Sequence, residues 1–118
     1  MSTVPIRNAA RLLMLLLLLG LHINVSAADT LWLDVRTGEE FAEAHLAAAV
    51  NIPYDQIADR IEHYAPDKNR ALVVYCRSGR RADIAKQTLE QLGYTNVVNA
   101  QDLDGAEALY QQETRASD

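Results

Sequence analysis

Short apolar runs alternate with longer amphipathic stretches along this 118-residue chain, and no other feature restricts its fold as strongly. Such alternation is typical of strands and helices that follow each other, with parallel strands joined by right-handed crossovers. The length suffices for one hydrophobic core and not for two. We therefore predict a single α/β domain of three layers, with a small central parallel sheet and helices on both faces.

Turn and capping residues mark the ends of the predicted elements. Gly38 breaks the chain after the first strand, and Gly93 ends the third helix. Asp102 caps the last helix, which we expect to fray from Glu113 onward. Helical spacing predicts an apolar face on the third helix, formed by Ile84, Ala85, Thr88, Leu89 and Leu92. The predicted strands span 31–35, 49–52, 71–75 and 96–99, and the predicted helices span 39–45, 54–64, 82–92 and residues from 103 onward.

The first 27 residues have the pattern of a secretory signal peptide. Arg7 and Arg11 precede an apolar run over 12–21. Because a bilayer span takes about 20 apolar residues, this run favours a cleaved signal over the alternative, an uncleaved membrane anchor. We predict cleavage after Ala27 and a single domain over 28–118 that is located in the periplasm without stable membrane association.

The domain that remains after cleavage is acidic and has one cysteine. Nine Lys and Arg residues stand against 16 Asp and Glu residues, a formal net charge of −7. Nucleic acid is therefore not an expected partner, since it requires a basic face. Cys76 has no second cysteine to pair with, and His45 and His63 lack neighbouring ligand types. We expect a monomer with no intramolecular disulfide, no metal site and no cofactor, and we expect Trp32 in the core.

Residues 76–81, with the sequence CRSGRR, lie between the clearest predicted strand and an amphipathic helix. A helix N-terminus presents unpaired N–H groups and about half a positive charge, which favours an anion such as a thiolate. Gly79 is able to take positive φ and turn these N–H groups inward, and Ser78 adds a hydroxyl donor. The ordinary thiol pKa of about 8.5 falls in such a setting. We expect Cys76 to be largely ionised at neutral pH.

Three arginines, Arg77, Arg80 and Arg81, reverse the local charge of an otherwise acidic domain. This reversal focuses positive potential on the mouth of the loop and indicates a small anionic substrate. Cys76 also follows a strand, and ligands of parallel sheets bind beyond the carboxyl ends of the strands. The alternative is a buried, inert cysteine, which is common for a lone cysteine but is disfavoured by so electropositive a loop.

The loop CRSGRR resembles the active-site loop of the rhodanese family of sulfurtransferases. Three further segments resemble that family in the same order: LWLDVRTGEEF at 31–41, AHLAAAVNIPY at 44–54 and LGYTNVVN at 92–99. The resemblance covers nearly all of the chain after the leader. It implies a rhodanese-like fold and a thiosulfate sulfurtransferase.

On this resemblance, Cys76 accepts a sulfane sulfur as a persulfide and passes it to cyanide or a thiol. The implied partners are a small anionic donor such as thiosulfate and a thiophilic acceptor. The loop N–H groups would cradle the outer sulfur, Arg77 and Arg80 would attract the donor, and Arg81 would close the loop. The substrate-binding residues implied in this way are Arg77, Ser78, Gly79, Arg80 and Arg81.

Asp34 and Arg36 match the Asp-Val-Arg segment of the family, and we expect them to form a structural ion pair. The sequence departs from the family pattern at two places. Ala44 and Ala48 replace two glycines around a histidine, and Gln101-Asp102 replaces a Gly-Gly pair before the last helix. These changes affect a turn and the pocket rim, so they obscure the substrate preference.

Three other functions use a reactive cysteine. Thiolate phosphatases resemble a pattern with five residues between cysteine and arginine, whereas four separate Cys76 from Arg81. The shorter ring fits a sulfur atom better than a phosphoryl group. A sulfur carrier that receives its persulfide elsewhere stays an open alternative. Thiol–disulfide exchange is disfavoured because no second cysteine resolves a mixed disulfide.

Overall fold

The computed structural model describes residues 29–117 and contains one four-stranded sheet in that range. Its strands are β1 (Leu31–Asp34), β2 (Val50–Asn51), β3 (Leu72–Tyr75) and β4 (Val97–Gln101), in the spatial order β2-β1-β3-β4. All neighbouring strands pair in parallel, as predicted, so their carboxyl ends meet at one edge of the sheet. The predicted signal peptide over 1–27 lies outside the described residues.

Four α-helices follow the strands in turn. They are α1 (Gly38–Glu43), α2 (Ile57–Tyr64), α3 (Arg80–Gln91) and α4 (Leu103–Ser117), and a 3-10 turn at Tyr54–Gln56 precedes α2. The helix predicted over 54–64 therefore starts as a 3-10 turn. Among the helices of residues 29–117, none is long and apolar enough to cross a membrane.

Every residue of the central strands β1 and β3 is buried, because helices cover both faces of the sheet. On one face, Leu33 packs in a cluster with Leu89 of α3 and with apolar residues of α2. On the other face, Trp32 and Tyr75 pack with Ala106 of α4. The double coverage explains why these strands lack period-2 alternation. It confirms the three-layer α/β arrangement and places Trp32 in the core.

The start of α1 differs from the prediction. Gly38 does not break the chain before the helix but is its first residue. The cause is a capping box, in which the Thr37 hydroxyl accepts the Glu40 N–H at 3.2 Å and the Thr37 N–H donates to the Glu40 carboxylate at 3.3 Å. At the other end the helix stops at Glu43, so His45 lies beyond it in an exposed segment without regular structure.

The third helix, α3, begins two residues earlier than predicted, at Arg80. Its buried stripe is narrow and consists of Ala82, Ala85 and Leu89. The prediction that Ile84 and Leu92 share this buried face is wrong, since they are 41% and 36% exposed. Ile84 is one residue, and so about 100°, away from Ala85 around the helix, which turns it to solvent.

The last helix, α4, continues to Ser117, so the prediction of fraying from Glu113 is wrong. The Thr30 hydroxyl donates to the Glu113 carboxylate at 3.2 Å, and Tyr110 packs edge-on against Trp32 with ring centroids 5.3 Å apart. These contacts with the start of the described chain stabilise the last turns of the helix. Asp102 caps the N-terminus as predicted, accepting the Gly105 N–H at 2.8 Å.

Candidate active site

The loop after β3 spans residues 76–79 and leads directly into α3. Cys76 is its first residue, and the Cys76 N–H donates to the Gln101 carbonyl at 3.0 Å. Gly79 has φ 96° and ψ −14°, the left-handed conformation that we predicted for it. The Asn99 side-chain amide donates to the Gly79 carbonyl at 3.0 Å. The glycine thus turns the chain into the helix without a Cβ penalty, and β4 anchors the turn.

The sulfur of Cys76 faces backbone donors. It accepts the N–H of Gly79 at 3.0 Å and the N–H of Ala82 at 3.4 Å. The residue is 1% exposed, but it also lines a cavity of about 140 Å³ at the carboxyl edge of the sheet. The sulfur is therefore enclosed by N–H groups and approachable from one small cavity, an arrangement that differs from burial among aliphatic side chains alone.

Two opposing effects act on the pKa of the Cys76 thiol. Burial raises the pKa by disfavouring the charged form, and hydrogen bonds from the backbone lower it by stabilising the thiolate. The N–H groups that donate belong to Ala82, Ser78, Gly79 and Arg81. Together they outweigh burial, so the pKa lies below its ordinary value, in the predicted direction. The loop geometry therefore favours a nucleophilic sulfur.

The guanidinium of Arg81 is bound by Glu40 of α1. Its two terminal nitrogens donate to the two Glu40 carboxylate oxygens at 2.7 and 3.0 Å, across 41 residues of sequence. The same carboxylate accepts the Thr37 hydroxyl at 3.2 Å. The Arg81 hydrogen bond is the main reason that the pKa of Glu40 falls to about 2. Sequence reasoning missed Glu40, since no local pattern relates it to the loop.

A second arginine, Arg36, is held in the same way just after the end of β1. Arg36 donates from Nε to Asp34 Oδ1 at 3.0 Å and from Nη2 to Oδ2 at 2.7 Å, and Asp34 is fully buried. The expected ion pair between these residues is therefore present. Arg36 Nη2 also donates to the Ala44 carbonyl at 2.7 Å. Ala44 has φ −164° and ψ 141°, ordinary extended backbone, so an alanine replaces the family's glycine without strain.

The cavity beside Cys76 brings together only part of the predicted site. Arg77 lines it, whereas the exposed residues Ser78 and Arg80 do not. Arg36, which was predicted as structural support, also lines it, together with three residues that were not predicted as site residues, namely Asp102, Leu103 and Asp104. The last three lie at the start of α4, and only Asp102 among them was related to the pocket rim by the family pattern.

Gln101 is the residue where the family resemblance breaks down most clearly. It has φ 75° and is the only non-glycine residue with positive φ in the described range. This is the backbone conformation that favours glycine, in agreement with the Gly-Gly pair expected there. A Cβ added to Gly79 would lie 3.4 Å from the Gln101 side chain. Gln101 therefore packs over the turn that carries Cys76.

Comparisons with known proteins agree with this geometry. A family model described as Rhodanese-like domain matches residues 20–105. Thiosulfate sulfurtransferase PspE of Escherichia coli (strain K12) is 41% identical over 87 residues, which are 74% of this chain and 83% of that protein. A putative sulfur carrier protein, YrkF of Bacillus subtilis (strain 168), is 34% identical over 67 residues, which are 57% of this chain and 35% of that protein. The solved structure of a rhodanese with anions from E. coli has a TM-score of 0.62 and 41% identity, and the match covers 64% of this chain and 89% of that chain.

Proposed function

The chain belongs to the rhodanese family of sulfurtransferases, and on this premise we propose that it is a thiosulfate sulfurtransferase with Cys76 as its sulfur-carrying nucleophile. One observation carries the proposal: the Cys76 sulfur accepts backbone N–H groups from Gly79 and Ala82 at the start of α3. These groups stabilise a negative sulfur before the reaction. They remain available to the negative outer sulfur of a persulfide afterwards.

In the first half-reaction, the Cys76 thiolate attacks the outer sulfur of thiosulfate. A sulfur–sulfur bond forms to the enzyme, the sulfur–sulfur bond of thiosulfate breaks, and sulfite leaves with the bonding electron pair. The product is the persulfide anion of Cys76, so the total negative charge is unchanged. No metal, redox cofactor or external proton donor takes part in this exchange.

In the second half-reaction, a thiophilic acceptor such as cyanide or a thiolate attacks the outer sulfur. The bond between the two sulfurs breaks, and Cys76 leaves as a thiolate. The backbone N–H groups that lower its pKa stabilise this thiolate. Cyanide becomes thiocyanate, and a thiolate becomes a persulfide. The enzyme returns to its starting state without another reactant.

The loop residues divide this work. The N–H groups of Gly79 and Ala82 cradle the transferred sulfur, and Arg77 binds the anionic donor at the cavity. Arg80, which is exposed and does not line the cavity, contributes long-range attraction. Arg81 closes the loop through its ion pair with Glu40 and so positions the N–H groups.

Intact mass spectrometry tests the proposal. After incubation with thiosulfate, the purified protein should gain the mass of one sulfur atom, and cyanide should then remove it. The variant Cys76→Ser should gain nothing. Catalytic turnover of thiosulfate and cyanide separates an enzyme from the alternative that the similarity to YrkF favours, a carrier loaded by another protein. Absence of the sulfur adduct after incubation with thiosulfate would instead support the carrier.

The location of the enzyme is also part of the proposal. The sequence pattern supports removal of residues 1–27, which leaves 28–118 as a monomeric domain in the periplasm without stable membrane association. Expression of the full chain, followed by cell fractionation and intact mass measurement, should yield a periplasmic species that begins at Ala28. Size-exclusion chromatography of that species should give the monomer mass. A full-length species in the membrane fraction would instead support the uncleaved anchor.

A further inference from the structure

The cavity beside Cys76 carries unpaired charges of both signs. Within residues 29–117, the side chains of Arg77 and Asp104 form no ion pair or hydrogen bond. Asp102 also has no cationic partner there, although one of its oxygens accepts the Gly105 N–H. The other cavity cation, Arg36, is neutralised by Asp34. The cavity therefore presents one unpaired guanidinium and two unpaired carboxylates around the sulfur.

The N–H groups next to the sulfur attract an anion, whereas the side-chain charges that line the cavity complement a zwitterion. A molecule with a carboxylate and an ammonium satisfies Arg77 and the carboxylates together. The cavity of about 140 Å³ is smaller than the roughly 300–1,000 Å³ pockets that hold drug-sized ligands, so it suits a small molecule. A larger thiol, such as a tripeptide, would extend into solvent.

We infer that the acceptor is a small zwitterionic aminothiol, the class to which free cysteine belongs. Its carboxylate lies at Arg77, its ammonium lies at Asp104 and Asp102, and its thiolate faces the Cys76 persulfide. The acceptor thiolate attacks the outer sulfur and the bond to Cys76 breaks. Cysteine persulfide leaves, and Cys76 regains its thiolate. This inference rests on the proposed function, because it requires the persulfide as the reacting species.

Single-turnover kinetics with the persulfide-loaded protein test the inference apart from donor binding. Three acceptors are compared: cysteine with both charges, N-acetylcysteine without the ammonium, and cysteamine without the carboxylate. Each rate in a variant is divided by the rate of the unmodified protein with the same thiol, which cancels the intrinsic reactivity of the thiol. The variants are Asp104→Asn and Arg77→Gln, and Glu107→Gln is the control. Glu107 is exposed on the same helix and does not line the cavity.

Asp104→Asn should lower the rates with cysteine and cysteamine about threefold, as expected for one exposed charge pair, and should raise the rate with N-acetylcysteine. It should also speed loading by thiosulfate, because a repulsive carboxylate is removed. Arg77→Gln should lower the rates with cysteine and N-acetylcysteine but not the rate with cysteamine. Glu107→Gln should change all three rates equally and slightly.

Two other outcomes are distinguishable. If the protein loads with sulfur but Asp104→Asn and Arg77→Gln change all three rates by the same factor, the acceptor inference is overturned and the proposed function stands. If unmodified protein forms no persulfide with thiosulfate, the proposed function itself fails and the inference fails with it.

Discussion

Two pairs of arginines surround the Cys76 loop, and they differ in what they contact. Arg36 and Arg81 are bound by the carboxylates of Asp34 and Glu40, which are themselves held by the fold. Arg77 and Arg80 are exposed and have no such partner within the described residues. Arg36 and Arg81 therefore stabilise the structure around the loop and add little net charge. Arg77 and Arg80 supply the positive charge that a substrate meets. A count of arginines in the loop overestimates its positive potential.

The largest effect is expected from breaking the ion pair between Arg36 and the buried Asp34. Asp34→Asn leaves the guanidinium of Arg36 without its buried counter-charge, which should lower the free energy of unfolding by about 3 kcal/mol. Urea unfolding measures this change, and Asp59→Asn, at an exposed site, is the matched control. The double variant Asp34→Asn with Arg36→Gln should recover part of the loss. If Asp34→Asn were as stable as Asp59→Asn, the ion pair between Asp34 and Arg36 would not stabilise the fold.

The next largest effect tests the role of the loop backbone independently of the four arginines. Gly79→Ala forces an alanine into φ 96°, which should cost about 1–2 kcal/mol and displace the N–H groups from the sulfur. Gly93→Ala is a matched control, because Gly93 has φ 98° and no atom within 4 Å of an added Cβ. Both variants should lose similar stability in urea. Only Gly79→Ala should raise the pKa of Cys76, measured as the midpoint of alkylation rate against pH.

In the unmodified protein this midpoint should lie below the ordinary thiol value of about 8.5, because the N–H groups stabilise the thiolate. A midpoint at or above that value would contradict the role given to the loop backbone.

A smaller effect is expected from breaking the partly exposed ion pair between Arg81 and Glu40. Glu40→Gln should lower stability by about 0.5–1 kcal/mol at pH 7, and should slow persulfide formation several-fold as the loop loosens. The folded pKa of Glu40 is depressed to about 2, so its stabilisation is complete above the unfolded value of about 4.3. The difference between the unmodified protein and the variant should therefore shrink as pH falls from about 5 to 2. Glu39→Gln, at the exposed neighbouring position, is the matched control.

The smallest effect concerns the unpaired arginines. Arg77→Gln should raise the KM for thiosulfate about threefold, since Arg77 lines the cavity, and Arg80→Gln should raise it less. Steady-state kinetics at low and high salt measure both, and the effects should diminish as salt screens the charges. If the two substitutions raised the KM equally, Arg77 would not contact the donor more directly than Arg80 does.

Local pattern was sufficient to predict most of the architecture. Apolar runs located all four strands, and the Asp102 cap located the start of α4. Gly79 and the three arginines identified the loop, and the left-handed turn at Gly79 is confirmed. The error at the end of α4 arose because the environment of a residue depended on a distant part of the chain. Glu113 is held by a hydroxyl 83 residues earlier, and no helical pattern contains that contact.

The alternation of strands and helices, the single cysteine and the anion-binding loop follow from residue type and spacing within a few positions, where backbone geometry and capping act. The charge that a ligand meets at Cys76 does not follow in this way. It depends on Glu40 neutralising Arg81 and on Asp102 and Asp104 reaching the same cavity as Arg77. Coulombic interactions act through space, so they belong to the folded arrangement and not to any short stretch of sequence.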